Sequence, residues 1–484
     1  MVPALRSRLR AVQDRELLTA AVAALATMLL ALLGAKKLGG MGLLAPLAVA
    51  TALIVMRRPV VMVSVTVGLA ILCEGSTFGL FNFTSHLYDE FYKGLTPLDA
   101  LVALTVVSVG WELVRERRAP ILPRALALPL ALLWLAMIAG AVTGHGAGAS
   151  LRSVILSENV LSYLLLLPLA VVNLRLERRQ LVTAITALAM LAIFKAAVGL
   201  IEVFGHYGQP IEGRATLTYY EPTANWLVML TIFGALAMVV SRLRPPRWLL
   251  LGSPLLIASL VLSYRRSFWI GAVLCLLLIV VLGLSPSRRR VLIPAVLLLI
   301  VAVWAIGSVN FQSSGSPIVK RLASLSPSKI EANVQDRYRL NERANVLSEI
   351  GRHPITGLGM DIPWTASAQT LSVEHPQGRL YVHFAALWFW LKLGILGLLA
   401  YVAVLVGMAT VAWQAWKHSP EPALKAFGLV SLCAVGALAA IETTASFTGI
   451  DARFTALLGA QIGLLALAAR LPAPVPVAEE PHRA

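Results

Sequence analysis

Long apolar runs recur along almost the whole of this 484-residue chain, and most have a tight cluster of arginines at one end. Leu17 to Gly34, Val291 to Ile306 and Ile395 to Trp413 reach or approach the ~20 residues a helix needs to cross ~30 Å of hydrocarbon. A membrane barrel would show shorter, alternating segments. At 58% hydrophobic the chain also exceeds the roughly half-apolar mix of a soluble domain. The expected fold is all-α, a polytopic transmembrane helical bundle.

Placing a span at each run gives segments near 16–34, 40–56, 59–76, 96–114, 125–143, 157–174, 181–203, 223–241, 248–263, 268–284, 291–308, 384–413, 425–444 and 452–469. That predicts fourteen spans with both termini cytoplasmic, or twelve if the first two runs are re-entrant or a tilted hairpin. The basic clusters Arg6 to Arg10, Arg57 with Arg58, Arg115 to Arg118, Arg175 to Arg179, Arg242 to Arg247 and Ser287 to Arg290 then fall on alternate connections. These are the cytoplasmic ones by the positive-inside rule, with Lys36 and Lys37 as the exception on the outer side. The net charge of +17 is therefore a statement about topology rather than about nucleic acid. The chain divides into spans over 1–308, one long outer loop over 309–382, further spans over 383–469 and a proline-rich tail over 470–484, expected to be disordered. The first run is too long for a cleaved signal peptide, so a retained span is expected. Cys73, Cys275 and Cys433 all lie in apolar runs with no metal-ligand or disulfide spacing, which makes them packing residues.

Chemistry concentrates between Gln335 and Gly397, a stretch with five arginines and three histidines in a chain that is only 13% charged. Leu340, Ala344, Leu347 and Ile350 recur near helical spacing, so an amphipathic helix is expected. It should end before His353, because Pro354 pushes the preceding residue out of the helical region. Gly357 and Gly359 then make a turn. His383 stands where the loop returns to the membrane. It is either a base for a sugar hydroxyl or an interfacial histidine beside Trp388, Phe389 and Trp390. Arg265 and Arg266 occupy a short turn on the outer side, where a phosphate would compensate them, or they snorkel to lipid phosphates. Arg337, Arg339 and Arg343 add a cationic pocket for a diphosphate, or they form a solvated helix face paired with Asp336 and Glu342. Arg214 precedes a span and is a further binding candidate. Glu74, Asp99, Lys195 and Glu202 fall within spans, where charges are costly and tend to be functional or paired. No Walker, dinucleotide, HExxH or GxSxG pattern is present.

The stretch RLNERANVLSEIGRHPITGLG (Arg339 to Gly359), followed by HFAALWFWLKLGILG (His383 to Gly397), resembles the signature of the O-antigen ligase and polymerase superfamily of polytopic membrane glycosyltransferases. SYRRS (Ser263 to Ser267) and GRATLTYYEPTAN (Gly213 to Asn225) are similar to its earlier motifs, so the resemblance covers roughly residues 205 to 400. Two departures stand out. Phe384 follows the histidine where the family often has Asn, and the turn holds two arginines, of which Arg266 is the better match because Ser267 follows it.

The resemblance implies transfer of a glycan from a polyprenyl-diphosphate-linked donor to a hydroxyl of a glycan, lipid or protein acceptor. The reaction would occur at the outer face of a bacterial cytoplasmic membrane, without cofactor, metal or nucleotide sugar. It makes Arg266, Arg339 and His383 the catalytic group, expected to converge on one cavity, with Arg265, Arg214, Arg337 and Arg343 binding substrate. Ligase and polymerase share this signature. A transporter or flippase of an anionic lipid-linked glycan is the alternative, suggested by Lys195, Glu202 and the basic outer pocket, and a structural partner in envelope assembly is a weaker one.

Overall fold

The computed structural model describes residues 58–74, 80–205, 209–211, 214–216, 221–294, 298, 334–371 and 378–471. Within them every expected span is a helix: α1 (Pro59–Leu72), α2 (Pro97–Arg115), α3 (Arg124–Gly146), α4 (Leu151–Val172), α5 (Arg178–Gly205), α6 (Pro222–Val240), α7 (Arg247–Leu262), α8 (Arg266–Gly283), α10 (Ala385–His418), α11 (Pro422–Ile441) and α12 (Ala452–Arg470). The loop helix α9 covers Val334–Arg352. Nine of the described helices are long and apolar enough to cross a membrane, and α1 and α7 are shorter apolar helices. The expected spans 16–34 and 40–56, most of 291–308 and the tail lie outside the described residues.

Local chemistry explains where the helices start. Proline opens α1, α2, α6 and α11, where its missing N–H costs nothing. Thr96 and Asp99 close a reciprocal capping box on α2, and the Asp451 carboxylate accepts from the Arg453 and Phe454 N–H groups at the head of α12. The expected 157–174 span begins earlier, at Leu151, because the Ser150 hydroxyl accepts from the Ser153 N–H. One antiparallel hairpin, β1 (Gln209–Ile211) with β2 (Arg214–Thr216), departs from the helical pattern among the described residues. The three cysteines are free and buried, as packing residues should be.

In the bundle α10 packs on α3 and α11, α12 on α4, and α8 on α11. Helix α10 is two helices joined at Gly394 (φ 68°, ψ −164°). A Cβ at Gly394 would collide with the Ile355 carbonyl oxygen, which accepts a hydrogen bond from the Ile395 N–H at 3.0 Å. The Leu358 N–H donates to the Leu391 carbonyl (2.6 Å) and the Met360 N–H to the Gly140 carbonyl (3.0 Å). The turn after His353 is thus threaded between α3 and the break in α10, which requires left-handed backbone at Gly357 (φ 66°) and Gly359 (φ 91°). Lys392, buried in the first half of α10, donates to the Ile362 carbonyl and ties down the same loop.

Helix α9 ends where proline predicts, and its buried face is largely polar, with Ile350 the one buried member of the four periodic apolar residues. Leu340 and Leu347 are 47% and 43% exposed, whereas Tyr338, Glu342, Asn345, Val346, Glu349 and Ile350 are buried. The cause is the segment that folds back along the helix. The Ala368 and Gln369 N–H groups donate to the Asn345 side-chain Oδ1, the Asn345 side-chain amide Nδ2 donates to the Gln369 carbonyl, and the Thr365 N–H donates to the Glu349 carboxylate. Backbone groups that leave water must be paired. The polar face of α9 therefore turns inward to supply the partners.

Candidate functional site

The turn between α7 and α8 is tight. The Ser263 hydroxyl donates to the Leu260 carbonyl and accepts from the Arg265 N–H, and Tyr264 takes a left-handed conformation (φ 54°). This places Arg265 and Arg266 together at the head of α8. The Arg265 guanidinium lies over the Phe447 ring, 5.0 Å from its centroid. Arg266 Nη2 donates to both Asp336 oxygens, at 2.6 and 2.8 Å.

Asp336 stands in the first turn of α9, and Arg339 lies one turn further along the same helix. Arg339 Nη1 is 3.5 Å from Asp336 Oδ1, and Arg266 Nη2 is 2.6 Å from the same atom, so the two nitrogens are at most about 6 Å apart. Two guanidinium groups against one carboxylate leave a surplus of positive charge.

Three residues beyond Arg339, Glu342 is fully buried. Its Oε2 accepts from the His383 backbone N–H (2.9 Å) and lies 3.0 Å from His383 Nδ1, with Oε1 at 3.2 Å. The His383 ring is flanked edge-on by Tyr381 (4.8 Å between centroids) and Tyr338 (5.9 Å). The Tyr381 hydroxyl donates to the Ser446 carbonyl. Burial pushes the Tyr381 phenol up to about 12, against the opposing pull of Arg265, so it remains a neutral donor at ordinary pH.

Arg266, Arg339 and His383 are thus drawn together through two carboxylates on one face of α9. Arg343 is exposed and lies 5.7 Å from the Phe384 ring centroid, and Arg337 is exposed on the outward face of α9. Arg214 opens β2, and its side chain lies outside the described residues. Asp336 and Glu342 carry more of the geometry than their appearance as surface partners of arginines suggested. Their spacing puts residues 336, 339 and 342 on one side of the helix, but it does not say that this side turns inward.

The intramembrane charges belong elsewhere. Lys195 Nζ lies 3.6 Å from Glu74 and 3.7 Å from Glu221, and Glu221 in turn pairs with Arg453, which also holds Asp451 at 2.9 Å. Glu202 accepts from the Leu80 N–H. Asp99 is a helix cap that also accepts from the Tyr163 hydroxyl at 2.6 Å. The Phe447 ring that Arg265 lies over packs 5.6 Å from the ring of Phe454 in α12.

No curated protein matches the chain. Residues 251–402 match the family model Wzy_C, described as O-antigen ligase, a segment that runs from α7 into α10 and contains Arg265, Arg266, Arg339 and His383. Over this segment of a chain with nine described helices long and apolar enough to cross a membrane, the protein is similar to the O-antigen ligase family.

Proposed function

We propose that this protein transfers a glycan from a polyprenyl diphosphate to an acceptor hydroxyl at the outer face of a bacterial cytoplasmic membrane. The observation that carries the proposal is the shared carboxylate. Asp336 holds two guanidinium groups side by side, and planar guanidinium forks suit the oxygens of a single diphosphate. Arg265 and Arg343 are proposed to add to the cationic surroundings for the phosphates or the glycan, and Arg214 and Arg337 are proposed to bind substrate on the sequence resemblance alone.

In the transfer, the acceptor oxygen forms a bond to the anomeric carbon of the donor sugar while its proton passes to His383. The bond from that carbon to the diphosphate oxygen breaks, and its electron pair leaves with the diphosphate. Negative charge develops on the leaving group, where Arg266 and Arg339 stabilise it. The acceptor is a glycan, lipid or protein hydroxyl.

The test is transfer by purified protein given a defined lipid-diphosphate glycan. Arg266→Ala, Arg339→Ala and His383→Ala should each reduce turnover on the order of 10²–10⁴-fold while the protein still inserts and folds. Full activity in Arg339→Ala and His383→Ala would overturn the proposal, and movement of the glycan across liposomes without transfer would replace it with a flippase. Longer chains as product indicate a polymerase, and transfer to a distinct acceptor a ligase.

A further inference from the structure

We infer that Glu342 is a positioning residue for the transfer, one that decides which nitrogen of His383 receives the acceptor's proton. The inference rests on the assignment of His383 as the base. It begins with a buried carboxylate that meets both the backbone and the ring of His383. Glu342 is 0% exposed, in a helix whose outward face has ample room for charge, and burying a carboxylate is costly unless its partners are good. Its partners belong to one residue, since both the backbone N–H and ring Nδ1 of His383 reach it.

A carboxylate can only accept hydrogen bonds. Against Glu342, Nδ1 must therefore carry the hydrogen, and the basic lone pair of a neutral ring must be on Nε2. The backbone contact fixes where the residue sits, and the two tyrosine edges limit rotation of the ring. As the acceptor proton arrives at Nε2, the ring becomes a cation 3.0 Å from a carboxylate, which stabilises it without Glu342 itself taking a proton. The same arrangement of carboxylate, imidazole and hydroxyl is the logic of hydrolase triads.

A purely architectural tie between α9 and the head of α10 would look similar, so the test must separate the two. Glu342→Gln preserves size and can still accept from the His383 N–H, but its amide NH₂ can donate to Nδ1 and favour the opposite tautomer. The expected result is a fall in kcat on the order of 10²–10⁴-fold, with the KM for the lipid-diphosphate donor nearly unchanged and activity partly restored in Glu342→Asp. In a His383→Ala background, Glu342→Gln should cost nothing more. Wild-type kcat in Glu342→Gln, or a loss that adds in full to that of His383→Ala, would overturn the inference.

A measurement on the unaltered protein guards against a variant that fails to fold. With ¹⁵N-labelled histidine, the signals lost in His383→Ala should show a protonated Nδ1 and an unprotonated Nε2 when the ring is neutral, and the reverse pattern would refute the inference. If His383→Ala keeps full activity, the base assignment itself falls. If His383→Ala is inactive and Glu342→Gln is not, only the role of Glu342 falls.

Discussion

Asp336 faces two arginines from separate elements, and its removal should expose what each interaction contributes. Arg266 and Arg339 are 13% and 28% exposed, so without the carboxylate two half-buried cations would repel each other. Asp336→Ala should destabilise the protein on the order of 3 kcal/mol. A lipid diphosphate should then raise the melting temperature of the variant more than that of the wild type, since the ligand supplies the missing anion. Equal shifts in a thermal-melt assay would count against a diphosphate site between these arginines. Tyr381→Phe makes a contrasting case. It removes one hydrogen bond to the Ser446 carbonyl, a loss of about 1 kcal/mol. With the phenol pushed up to about 12, the hydroxyl stays protonated across the working range, so the pH–rate profile of Tyr381→Phe should keep the wild-type shape. At this scale the sequence reveals residue types well. Arg266, Arg339 and His383 stand out because they fall on the predicted outer side, where the positive-inside pattern disfavours cations. The roles of Asp336 and Glu342 do not, since spacing alone cannot tell a solvated helix face from one turned inward.

Helix α9 shows how an element can be located from sequence while its orientation is not. Its end at Arg352 follows from Pro354, and its length from the polar run before it. Its facing was decided by residues 364–371, whose backbone groups recruit Asn345 and Glu349, an interaction between segments that no periodicity within the helix encodes. Two neighbouring substitutions distinguish the faces. Ile350→Ala, at a buried position, should cost about 2–4 kcal/mol, whereas Leu347→Ala, on the outward face, should fall within about 0.5 kcal/mol of wild type. Comparable losses in denaturation of the purified protein would mean that the outward face is packed. The break in α10 is a second such element. The apolar run from Ala385 onward reads as one continuous span, and only contact with the Ile355 carbonyl explains the left-handed Gly394 within it.

Across the molecule, two of the ionic clusters among the described residues pair different groups. One gathers cations around Asp336 and Glu342. The other joins Glu74 beyond the end of α1, Lys195 in α5, Glu221 at the head of α6 and Arg453 at the head of α12. The bundle and most helix limits were legible from hydropathy and arginine placement, because those follow from the bilayer. This second cluster was not, because Glu221 and Arg453 are far apart in sequence and only the packing of α6 against α12 makes them partners. Lys195 and Glu202 suggested a transport path when read alone, yet Lys195 sits between two carboxylates that depend on it. Lys195→Met should therefore act on stability. Leaving Glu74 without its cation, while Glu221 keeps Arg453, should cost about 3–5 kcal/mol, and adding Glu74→Gln should recover part of that loss by removing the stranded charge. Transfer activity per folded molecule should stay close to wild type, because Lys195 pairs with Glu74 and Glu221 rather than with the Asp336 and Glu342 carboxylates that hold Arg266, Arg339 and His383. A Lys195→Met protein that melts normally but has lost turnover would reverse the assignment and make the buried lysine part of the working machinery.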